Sequence, residues 1–157
     1  MSSSPRRGQS AIEVLFILAI ILAGVLVVTP AYLDENTTMS AVSYVRTSAS
    51  DACAYLNAGV VINDSMYSPL NAIIMASNYT YRAFQLAGVR SADVNGKMQI
   101  NVTITYAGAG LPEATVEANI KQYIEDDLVS KTNVVRESGK LYLRGKEIEI
   151  NVDVVRR

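Results

Sequence analysis

Residues 14 to 28 read VLFILAIILAGVLVV, a run with no polar side chain, and nothing else in the 157-residue chain restricts its fold as much. A helix rises about 1.5 Å per residue. Extending the run from Ala11 to Tyr32 therefore gives roughly 20 largely apolar residues, enough to cross a bilayer's hydrocarbon core. Arg6 and Arg7 stand just before it, and such charges favour keeping that end in the cytoplasm. The chain from Leu33 onward would then lie outside. Three fates fit the segment: a secretory signal removed near Thr29-Pro30-Ala31, an uncleaved anchor, or a leader cut ahead of the apolar run. The proline beside the first cut and the length of the run disfavour an ordinary signal.

Glu13 bears on the choice. It sits between Ile12 and Val14, at the entry of the run. A lone carboxylate in a membrane helix costs roughly 2–3 kcal/mol or more, so it is rare unless paired. The simpler alternative places Glu13 at headgroup level, which leaves Val14 to Val28 to span only a thinned bilayer.

With the apolar run behind it, Arg6-Arg7-Gly8-Gln9-Ser10-Ala11-Ile12-Glu13 resembles the class III signal peptide of archaeal type IV pilin-like proteins. The resemblance covers this N-terminal segment alone. It implies a cut between Gly8 and Gln9 by a prepilin-peptidase-like aspartic protease. Glu13 then becomes the fifth mature residue. It further implies a subunit that sits in the membrane before assembly. An assembly platform then builds it, with identical or related pilin subunits, into an extracellular filament. In that setting Glu13 neutralises the new Gln9 amine of a neighbouring subunit. Ser10 and Ala11 depart from the family, in which Ser is common at the third mature position. The early Gly-Ile-Gly pattern of archaellins is not seen.

The residues themselves are compatible with this. Gly8 has no Cβ and lets a protease approach the backbone closely. Pro30 removes a backbone donor and is expected to kink or break the helix. Gly24 allows close helix packing, and Ala19 with Ala23 gives a small-residue pair four apart.

Beyond the polar stretch 33–38, Met39, Val42, Val45, Ala49, Ala52, Cys53, Leu56 and Val60 recur at helical spacing. They predict a second helical section over about 35–58 that continues the first helix across a bend at Pro30 and is stopped by Gly59. Cys53 lies on its apolar stripe and reads as a small core residue, with a reactive thiol as the alternative. A short helix is expected over 69–77, with Pro69 in its first turn. Asn95-Gly96 between residues 79–92 and 98–107 signals a hairpin. An amphipathic helix follows from Leu111 to about Val129. Short strands are expected at 132–137 and 140–144, around Ser138-Gly139. A turn at Gly145-Lys146 then leads to a last strand from Glu147 to Val155, taken as antiparallel. The expected architecture is α+β: a long N-terminal helix, kinked near Pro30, packed on an antiparallel sheet with one or two further helices. The expected division is a leader 1–8, a membrane or filament-core helix 9–32, and a head 33–157.

Composition narrows the chemistry. The net charge is −1, histidine is absent and Cys53 is the sole cysteine. That removes histidine-based catalysis, the usual zinc sites and any intrachain disulfide. No basic stripe points to nucleic acid. No cofactor, metal or enzyme site is expected. Glu125-Asp126-Asp127 reads as a solvated helix face rather than a calcium loop. Ala107 to Gly110 carries two glycines but no following Lys-Ser/Thr for a phosphate loop. Asn36, Asn63, Asn78 and Asn101 head N-linked glycosylation sequons, and filament subunits of the resembled family are often glycosylated. Tyr55, Tyr67, Tyr79 and Tyr81 suggest an adhesive surface or, more simply, core packing. The functions weighed against a filament subunit are a minor pilin or secretion-system pseudopilin, and a monomeric membrane-tethered binding protein.

Overall fold

The computed structural model describes residues 6–77, 83–107 and 111–157, without the side chains of residues 6–10, 31, 34 and 35. The chain divides into two units, Met1–Thr37 and Thr38–Arg157. One helix, α1 (Arg6–Ala58), contributes to both. It runs unbroken through Pro30 and the polar stretch 33–38, so the section expected over about 35–58 continues the first helix. Threonines within that region bond back into the helix: Thr29 Oγ1 donates to the Val25 carbonyl (2.6 Å) and Thr37 Oγ1 to the Leu33 carbonyl (2.7 Å). Those hydroxyls are absorbed by i−4 carbonyls within the helix. The helix ends as expected at Gly59, whose φ of +65° suits a residue without Cβ and whose N–H reaches the Tyr55 carbonyl.

The second unit continues with a 3-10 turn at Ser65–Tyr67, α2 (Ser68–Ala76), β1 (Ala83–Val94), β2 (Lys97–Ala107) and α3 (Glu113–Lys131). It closes with β3 (Val135–Glu137), β4 (Lys140–Leu143) and β5 (Lys146–Arg156). Each hairpin turns on two residues with positive φ: Asn95-Gly96, Ser138-Gly139 and Arg144-Gly145. Such pairs match the twist of the flanking strands. The last turn lies one residue earlier than the expected Gly145-Lys146, because Arg144 takes the left-handed conformation and frees Lys146 to begin β5.

The sheet corrects the expectation of an all-antiparallel arrangement. Its order is β1-β2-β5-β4-β3, and β5 runs parallel to β2, with Met98 beside Ile148 and Tyr106 beside Arg156. The other pairings are antiparallel. A parallel neighbour needs a long crossover, which α3 and the β3–β4 hairpin provide. The physical reason lies in the two strands. β2 and β5 have the strictest apolar alternation, so they take the centre, where Ile100, Val102, Ile104, Ile148, Ile150 and Val154 are buried. The edges fall to three-residue β3 and to β1, which is bulged at Ala87. Short or bulged edges resist pairing with other chains.

The core of the second unit joins the sheet to Ala41, Val45, Ala49, Ala52, Cys53 and Leu56 of α1, to Leu70, Ile73 and Ile74 of α2, and to Val116, Ile120, Ile124 and Leu128 of α3. Asn57 fixes the start of β1 by accepting from the Phe84 N–H (2.7 Å) and donating to its carbonyl (2.8 Å). That side chain stands in for a neighbouring strand. Cys53 is buried, and burial pushes its thiol up to about 11. The rise from 9.0 to about 11 lowers the thiolate population near neutral pH by about a hundredfold. Iodoacetamide at pH 8 should therefore leave Cys53 almost unmodified in the folded chain and label it fully in guanidinium. Rapid labelling without denaturant would contradict its placement in the core.

Candidate functional site: the exposed apolar helix

Alternating or helically spaced apolar residues bury one face and leave the other to water. The run in α1 is different: it is apolar all round, so it has no polar face to offer. Ala11–Pro30 has a mean hydropathy of 3.0 and none of it is buried within the chain. Thirteen large apolar side chains from Ile12 to Val28 stand in the open. Burying each is worth roughly 1.5–3 kcal/mol, so covering the segment is worth on the order of 20 kcal/mol or more. The core of the second unit is drawn from residues between Ala41 and Val154.

Glu13 is the one ionisable residue between Ala11 and Pro30, and its side chain is exposed. Steps of four, three, four and four residues place Glu13, Ile17, Ile20, Gly24 and Val28 on one side of the helix. At Gly24 nothing lies within 4 Å of where a Cβ would sit. A shallow apolar groove of ≈490 Å³ runs there between Ile21, Gly24, Val25, Val28, Thr29 and Tyr32. Gly8 and Gln9 lie in the first helical turns, Arg6 and Arg7 opening the same helix. The first four N–H groups of a helix have no intrahelical acceptor, so this end opens at little expense.

The other sequence candidates separate clearly. Asp127 belongs to no solvated face: it is 3% exposed, accepts from Ser48 Oγ of α1 and pairs with Lys131 at 2.8 Å. The hydrogen bond to Asp127 holds the Lys131 ammonium above its ordinary range. Glu125 and Asp126 stay at the surface and share Arg136 at 3.5 and 2.9 Å. The periodicity of α3 could have flagged Asp127, since it follows Tyr123 by four and Ile124 by three; the run of three acids hid it. Among the described residues no three His, Cys, Asp or Glu side chains converge on a metal position. A polar depression of ≈230 Å³ beside β5 is occupied in charge terms by Glu147 with Lys97 (2.9 Å) and Lys140 (3.3 Å). The hydrogen bond from Lys97 lowers the Glu147 carboxyl, and the same bond raises Lys97.

Tyr55 and Tyr67 are half-buried and stacked at 4.5 Å. The Tyr55 hydroxyl donates to Asn71 Oδ1 (2.6 Å) and accepts from Ile62 N–H (2.9 Å). These two rings brace the end of α1 rather than present an adhesive face; Tyr79 and Tyr81 lie outside the described residues. Of the sequon asparagines, Asn36 is in α1, Asn63 in the loop before the 3-10 turn and Asn101 in β2, all exposed; Asn78 lies outside the described residues.

No protein-family model, curated protein or solved structure matches the chain.

Proposed function

We propose that the protein is a structural subunit of an extracellular pilus-like filament, made as a precursor and cut between Gly8 and Gln9. The observation that carries this reading is the uncovered helix Ala11–Pro30 with its single carboxylate at Glu13. That helix requires a cover. Lipid supplies it before assembly, and helices of identical or related subunits supply it afterwards. Lipid alone leaves Glu13 without a purpose. A bundle of helices gives it one, because each cut creates an amine on Gln9 that needs a counter-charge in an apolar setting.

On this reading the protein is not an enzyme, and its working partners are sister subunits, an aspartic prepilin-type peptidase and an assembly platform. The peptidase opens the first turn of α1 to reach the Gly8–Gln9 bond. Removing Arg6 and Arg7 with the leader changes the formal charge from −1 to −3, since the leader holds two cations and no acid. A minor pilin or pseudopilin has the same features and differs in abundance.

A monomeric tether is the reading to be separated, and the self-sufficient core of the second unit favours keeping it in view. The mature N-terminus is the first test. Mass spectrometry of the chain from its native membrane should give a start at Gln9. A start at Met1 or Ser2 supports the tether, and one near Tyr32 supports ordinary secretion.

A further inference from the structure

The geometry points to Asn63 as an acceptor of an N-linked glycan, with Asn36 and Asn101 left bare. This rests on the reading that the chain beyond the apolar helix is exported. Asparagine amide nitrogen is a poor nucleophile, and a transferase must seize the amide, the backbone on either side and the hydroxyl two residues on. The acceptor segment must therefore be open in all three respects.

The loop from Val60 to Asp64 meets those demands at the amide and the hydroxyl, and its backbone is held across the acceptor by one short bond, Asp64 N–H to the Ile62 carbonyl (2.9 Å). Residues 60–64 belong to no helix or strand, and Asp64 has extended backbone at φ −134° and ψ 135°. The Asn63 side chain is exposed and, among the described residues, has no hydrogen-bond partner. Ser65, the hydroxyl position of the sequon, is exposed as well. The loop is nevertheless anchored on both sides of the acceptor. Ile62 N–H donates to the Tyr55 hydroxyl, and Asn71 Nδ2 donates to the Ile62 carbonyl (2.8 Å). On the other side Asp64 accepts from Met66 N–H (2.9 Å), which ties its carboxylate to the 3-10 turn.

The other two described sequons fail on the same criteria. Asn36 lies inside α1, so seizing it means unwinding a helix in its middle. Asn101 lies on β2 with β1 on one side and β5 on the other. Its Oδ1 also accepts from Asn151 Nδ2 (3.1 Å), and Thr103 is half-buried.

The donor is a lipid-linked oligosaccharide supplied by the cell. A bond forms between Asn63 Nδ2 and the anomeric carbon of the first sugar as the bond from that carbon to the lipid phosphate oxygen breaks. The phosphate leaves with the electron pair, and the proton lost from the amide ends on it. No oxidant or reductant is consumed.

The test is peptide mass mapping of the full chain purified from its native host, beside Asn63→Gln, with the N-terminus and surface-label accessibility measured on the same samples. The expected result is glycan mass on the Asn63 peptide, none on those of Asn36 and Asn101, and loss of the Asn63 adduct in the variant. A bare Asn63 on a surface-accessible chain that starts at Gln9 overturns the assignment and leaves export standing. Glycan on Asn36 or Asn101 does the same. A bare chain shielded from the label overturns the export reading, and the assignment falls with it.

Discussion

Glu13→Ala abolishes filaments while the precursor is still cut between Gly8 and Gln9. That is the expected result if the carboxylate neutralises a neighbour's Gln9 amine. Cleavage acts four residues upstream of Glu13 and leaves the apolar run unchanged, so membrane entry and processing persist. Assembly then buries an ammonium without a counter-ion, and breaking one side of a buried pair costs about 3–5 kcal/mol. The loss recurs at every subunit of a polymer, so filament yield should fall to background rather than by a fraction. The readout is electron microscopy of sheared surface material, with mass spectrometry of the N-terminus on the membrane fraction. Normal filaments from Glu13→Ala would remove the pairing, and with it the main argument against a simple tether. Intact Met1 in the variant would instead place Glu13 in recognition by the peptidase.

Ile100→Ala lowers the stability of the second unit by about 2–5 kcal/mol, the range for truncating a fully buried large aliphatic residue. Ile100 has no exposed surface and lies on central strand β2, between Ser91 of β1 and Ile150 of β5. Neighbours on both sides and helices over its face leave little room for the cavity to collapse. Gln99→Ala, the next residue and half-buried on the opposite face, is the control and should move stability by well under half as much. Thermal unfolding of the detergent-solubilised chain distinguishes them. Equal effects at both positions would mean that the polar face of the sheet is also covered.

Much of the fold could be read from the chain because its signals are local. Gly59 stops α1, Asn95-Gly96 turns β1 into β2, and Val116, Ile120, Tyr123, Ile124 and Leu128 fall on one side of α3. Each is decided by backbone conformation or by periodicity within a few residues. Two features were not legible. Asp127 looks solvated in a run of three acids, and only the approach of Ser48, 79 residues earlier, makes it a buried partner. The parallel alignment of β2 and β5 arises from competition for the centre of the sheet, and alternation reads the same in either direction.

The apolar segment with which the sequence begins its constraint is in a different position. Composition alone makes it a helix without a polar face, and places one carboxylate at its entry. The structure buries none of Ala11–Pro30, and the core of the second unit is drawn from residues between Ala41 and Val154. On the proposed reading the cover of that helix comes from other molecules, since none of Ala11–Pro30 is buried within the chain. Sequence determined the surface that needs burial, through hydrophobicity and helical geometry. Tertiary structure decided strand order, strand direction and which acid is buried, because those follow from contacts between residues far apart along the chain.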